Sequence, residues 1–126
     1  MTINICLGNI TIDCKDDFKL RNFYANLLNW ETYTIGVYPV LRSPTGLIFL
    51  FNKTDFKYIK PTWPEEIDQQ QKQMHFDFHV DDLPSAVIYA KSLGATLAKI
   101  QYDKNNYITM FDPEGHPFCL CKNKIL

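Results

Sequence analysis

Polar and apolar residues alternate one for one over residues 9–16, NITIDCKD, and again over residues 75–82, HFDFHVDD. A period of two predicts a strand with one polar and one apolar face. Each run ends in aspartate and is followed by apolar residues at helical spacing: Leu20, Phe23 and Leu27 after the first, Ala86, Tyr89 and Leu93 after the second. An offset of 66 superposes the two copies over both elements. Asp16 or Asp17 is suited to cap the first helix; Asp82 caps the second, with Pro84 in its first turn and Gly94 just past its end.

The repetition continues beyond the helices. SPTG at 43–46 matches DPEG at 112–115, now at an offset of 69, which implies a three-residue insertion between the second helix and its turn. Proline second and glycine fourth suit a type I turn, and the apolar runs that follow, LIFLF and HPFCL, predict the last strand of each copy. The stretches between, WETYTI with VYPVLR and TLAKIQ with NYITMF, are rich in β-branched and aromatic residues and predict two further strands per copy. Each half therefore reads strand, helix and three strands. The expected fold class is α+β, with two tandem βαβββ units in a single domain over residues 1–126: unit one over about 1–52, a linker over about 53–73, and unit two over about 74–126. The linker carries prolines, charges and no clean period, and its Tyr58 and Trp63 are placed to pack on something.

Length and charge narrow the function. One domain of 126 residues has a core but no room for separate catalytic and cofactor domains. A net charge of −1 supplies no field for nucleic acid or an anionic membrane, so neither is an expected partner. No signal-like amino terminus and no run long enough to span a bilayer is present, and the expected location is cytoplasmic. Cys6, Cys14, Cys119 and Cys121 lie in apolar stretches without paired spacing, which predicts buried, reduced thiols.

Candidate chemistry sits on the polar strand faces. Alternation puts His75, Asp77 and His79 on one face and Phe76, Phe78 and Val80 on the other, and the repeat puts Asn9, Thr11 and Asp13 in the equivalent places. If these faces line a cavity, six hydrogen-bonding side chains converge there as ligand-binding groups; the alternative is that they pair with one another. His75 beside Asp77 is suited to general base catalysis. Cys119 and Cys121 share a face of the last strand and, with His75, suit a soft metal; the favoured reading is that they are small apolar fillers of a buried strand. Phe49, among other strand aromatics, is a candidate pocket wall, whereas His116 reads as an exposed or capping residue of its turn.

The paired units, with HFDFHVDDLPSAV, KSLGAT and DPEGHPFCL in the second, resemble the vicinal oxygen chelate superfamily, in its glyoxalase-like, bleomycin-resistance-like branch. The resemblance implies that the units curl into a cup-shaped mixed sheet around a cavity, and that the protein forms a homodimer. In metal-dependent members one ligand comes from the first and one from the last strand of each unit. Those positions are Asn9, Leu50, His75 and Cys119 here, of which only His75 is a standard match. The resemblance therefore implies a protein that binds a small organic molecule without a conventional metal centre and with no cofactor. The competing reading is a metal-dependent glyoxalase-type lyase or isomerase, or a dioxygenase-like enzyme, with a divalent ion on His75 and an incomplete ligand set. A third is an accessory interaction protein, with Trp63 at an interface.

Overall fold

The computed structural model describes residues 3–122, which divide into two compact units at Phe56 and Lys57. Unit one contains β1 (Ile10–Cys14), α1 (Asp17–Leu28), β2 (Glu31–Ile35), β3 (Tyr38–Arg42) and β4 (Ile48–Lys53), with the strands ordered β1-β4-β3-β2. Unit two contains β5 (Phe76–Val80), α2 (Leu83–Ser92), β6 (Thr96–Leu97), β7 (Tyr107–Phe111) and β8 (Pro117–Lys122), ordered β5-β8-β7-β6. The fold is α+β, built of two tandem βαβββ units, as the alternation predicts. In each unit the first and last strands pair in parallel and the remaining pairs are antiparallel.

The duplication holds to the single residue. Thr11 stands opposite Leu50 in unit one, and Asp77 opposite Cys119 in unit two. Both helices start at an aspartate whose carboxylate accepts a backbone N–H three residues on: Asp16 from Lys19 at 3.1 Å and Asp82 from Ser85 at 3.3 Å. The two turns also match bond for bond. Gly46 donates to the Ser43 carbonyl at 3.0 Å and Gly115 to that of Asp112 at 2.9 Å. The leading side chain of each also accepts from the turn: Ser43 Oγ from Leu47, Asp112 Oδ1 from Glu114 and His116.

Unit one packs aromatics between helix and sheet. Leu20, Phe23 and Tyr24 are buried, with Tyr24 stacked on Phe51 at 6.1 Å and Trp30 against Phe49 at 5.1 Å. The second helix uses smaller groups. Tyr89 is 48% exposed and the buried residues are Leu83 and Ala90, so the stripe expected through Tyr89 is displaced by one residue. Ala90 occupies the position of Tyr24, and the back of β5 fills with Phe78 against Phe118 at 5.8 Å and Phe76 against Phe78 at 5.6 Å.

Two further expectations change. TLAKIQ gives a strand of only two residues, because Gln101 folds back and replaces the ladder with its side chain: its amide donates to Ala98 and Thr109 carbonyls at 2.8 Å, and its Oε1 accepts from Thr109 N–H at 2.9 Å. Cys6 is exposed, since it precedes β1 and no sheet covers it; Cys14 and Cys119 are buried and Cys121 half-buried, all as free thiols. The segment read as a linker from 53 to 73 belongs, from Lys57 onward, to unit two. Tyr58 donates to the Glu114 carbonyl at 3.1 Å and Trp63 Nε1 to the Ile100 carbonyl at 3.3 Å. No helix among the described residues is long and apolar enough to cross a membrane.

Candidate functional site

The pleat of β5 places His75 and Asp77 on one side, with the aromatic ladder of Phe76 and Phe78 behind them. His75 immediately precedes the strand, and its Nε2 lies 3.3 Å from Asp77 Oδ1. Asp77 stands beside Cys119 in the parallel ladder, and Cys119 stands beside Thr109 in the antiparallel one. The ligating atoms of His75, Asp77 and Cys119 all lie within 4.8 Å of one another. His75 and Asp77 are open to solvent, whereas Cys119 is 3% exposed. Thr109, itself fully buried, holds the thiol through an Oγ1 to Sγ contact of 3.4 Å.

Burial pushes the Cys119 thiol up; the bond with Thr109 opposes this, and the Asp77 carboxylate adds to it. The Cys121 thiol is pushed up as well, by burial and then by the Asp77 charge. Cys121 lies on the same strand face two residues on, opposite His79, and stands outside the cluster. The third donor beside His75 and Cys119 is therefore an oxygen from Asp77, not a second sulfur.

Unit one carries the same register with different chemistry. Asn9 donates to Thr11 Oγ1 at 2.8 Å, as His75 meets Asp77, and Asn52 donates to Asp13 Oδ1 at 3.0 Å. Leu50 stands where unit two has Cys119 and offers no donor. Phe49 is turned away from this face: it pairs with Ile10, is 3% exposed and packs on Trp30 in the core. His79 is exposed. His116 belongs to the turn, where its Nδ1 lies 2.8 Å from the buried Asp112 Oδ2 and its Nε2 3.2 Å from the Tyr58 hydroxyl. A cavity of about 400 Å³ in unit two is lined by Lys60, Trp63, Thr96 and Asp112 among others, but by none of the three clustered donors.

Of the residues that flank the cluster, Trp63 was legible in the sequence as a residue poised to pack, whereas Lys72 and Tyr102 were not. Trp63 meets the His75 ring at 5.9 Å and the Tyr102 ring at 6.0 Å. The Lys72 ammonium lies over the Trp63 ring, 4.6 Å from its centroid, and pairs with Glu65. Lys72 holds the Glu65 carboxyl below the usual range, mainly through that bond. The only sequence signal was a tryptophan and a lysine in a segment without period, three to twelve residues ahead of His75.

The donor set suits a divalent ion of the zinc class: imidazole nitrogen, carboxylate oxygen and thiolate sulfur are its ordinary ligands, and three of them leave room for an exogenous group. The four-ligand pattern drawn from both units does not fit, because Asn9 and Leu50 replace its ligands in unit one.

Residues 9–121 match the family described as glyoxalase-like domain. No curated protein matches the chain in sequence. Among solved structures, a glyoxalase/bleomycin resistance protein/dioxygenase family enzyme from Burkholderia phytofirmans PsJN is 18% identical, with a TM-score of 0.65 over 91% of this chain and 96% of its own. The genomically encoded fosfomycin resistance protein FosX from Listeria monocytogenes is 18% identical, with a TM-score of 0.69 over 98% and 94%. The oxidase ChaP-H2 is 14% identical, with a TM-score of 0.63 over 97% and 96%. The sequence match over nearly the whole chain, together with two βαβββ units in one register, establishes that the protein belongs to the glyoxalase-like domain family of the vicinal oxygen chelate superfamily.

Proposed function

We propose that this protein binds a small, oxygen-bearing organic molecule at the polar face of unit two, with a divalent metal of the zinc class held by His75, Asp77 and Cys119. The observation that carries this reading is the convergence of those three donor atoms within 4.8 Å. A metal held there would supply Lewis acidity to a ligand oxygen. The chain's own contribution is orientation. Thr109 positions the sulfur, and Trp63 walls the approach to His75. Such a centre differs from the family's four-ligand pattern in taking all its protein donors from one unit. Within the family this suits either retention of a ligand or a glyoxalase-type lyase or isomerase reaction.

Cobalt(II) titrated into the purified protein tests the centre. The expected result is a sulfur-to-cobalt absorption band at one equivalent, lost in Cys119→Ser and weakened at least about tenfold in His75→Ala and Asp77→Ala. Absence of any band in the wild type overturns the metal centre. A second reading then stands, supported by the 3.3 Å contact of His75 with Asp77: a metal-free site in which the imidazole takes a proton from the bound molecule. Unchanged His75 imidazole NMR chemical shifts in Asp77→Asn would remove that contact and this reading with it.

A further inference from the structure

Lys72 lies outside the donor cluster, and the reading above makes no use of it. Its side chain is 11% exposed, although lysine ordinarily keeps its head in water. Its partner Glu65 is 52% exposed. The ion pair is thus unequal: the cation is enclosed, while the counter-ion sits at the surface, where water readily replaces a carboxylate's partner. The aromatic face behind the ammonium is fixed, because Trp63 donates to the Ile100 carbonyl and touches His75 and Tyr102.

The backbone also commits itself here. Thr62 N–H donates to the Gln70 carbonyl at 2.9 Å and so closes the loop that carries Glu65. Met74 N–H then bonds the Lys72 carbonyl around Gln73, whose φ is +58°. That is a γ-turn in a strained region for a residue with a Cβ, set between Lys72 and the donors on β5. Trp63 meets both the Lys72 ammonium and the His75 ring, so the ion pair and the cluster share one aromatic wall.

We propose that Lys72 is the anion-recognition group of this site, which takes small organic oxyanions, carboxylates or phosphonates, whose negative group displaces Glu65 from the ammonium while the rest of the molecule faces His75, Asp77 and Cys119. The proposal rests on the reading of unit two's polar face as a binding site, but not on the metal. Glu65 then acts as an internal competitor that keeps the lysine paired until a ligand arrives.

The test is a titration of methylphosphonate into the metal-free, isotope-labelled full chain, following the Trp63 indole N–H signal, assigned with Trp63→Phe. A saturable shift is expected in the wild type, weakened about tenfold or more in Lys72→Met and tightened severalfold in Glu65→Gln, while acetamide gives none. The two variants move the affinity in opposite directions, which a general loss of folding cannot do. No saturable shift in the wild type, equal binding by Lys72→Met, or weaker binding by Glu65→Gln overturns the proposal. Lysine-dependent anion binding without a cobalt band leaves it standing and removes the metal centre; a cobalt band without anion binding does the reverse.

Discussion

Cys119 carries a thiol held in its protonated form by burial and by the adjacent Asp77 carboxylate, against the pull of Thr109. A metal needs the deprotonated sulfur, so binding at this centre must expel a proton. Zinc affinity, measured by competition with a chelator, is expected to rise by up to about tenfold per pH unit while the thiol remains protonated, and to lose most of that slope in Cys119→Ser. For the metal-free protein the sign is opposite. A thiol whose folded pKa is raised adds stability below its unfolded pKa; the unfolded chain ionises first as pH rises, and the contribution is lost through the window up to the folded value. Urea midpoints should therefore fall across the alkaline range, less so in Cys119→Ser. His75 and Cys119 were legible as candidates from strand alternation and the family pattern. Asp77 was legible as the neighbour of His75, but its place against Cys119 was not, because the parallel register that sets them opposite joins residues over forty apart in sequence.

At the scale of elements, the two turns offer a controlled comparison. Asp112 is 3% exposed, its carboxylate accepts from the Glu114 and His116 backbone N–H groups and lies 2.8 Å from His116 Nδ1, whereas Ser43 holds the equivalent turn with a single hydroxyl. Asp112→Ala leaves buried donors without an acceptor and is expected to cost about 2–4 kcal/mol in urea unfolding, against about 1 kcal/mol for Ser43→Ala. Gln101→Ala takes the acceptor from the Thr109 N–H, while the Thr109 carbonyl keeps the Ala98 N–H, and is expected to cost about 1–3 kcal/mol. Strands, helices and caps were readable because period and capping chemistry are local. The shortening of β6 was not, since a glutamine that competes with a ladder looks the same in sequence as one on its surface. Nor was the attachment of residues 57–74 to unit two, which depends on Tyr58 and Trp63 meeting carbonyls far along the chain.

For the whole molecule, the duplication is a finding that can be used. Asn9, Thr11 and Leu50 occupy the register of His75, Asp77 and Cys119, so the triple substitution Asn9→His, Thr11→Asp, Leu50→Cys should write the donor set into unit one. Two metal equivalents per chain are expected in place of one; a single equivalent would mean that the flanking Trp63 and Lys72, which unit one lacks, are required as well. The repeat was visible in sequence down to its offsets, but its division of labour needed the side-chain geometry. That division supplies the protein with an internal reference. An ion or additive that sticks indiscriminately to polar strand faces should disturb signals from Thr11 and Asp77 alike. Occupancy that matters should disturb only the latter, so every titration of this chain brings its own blank.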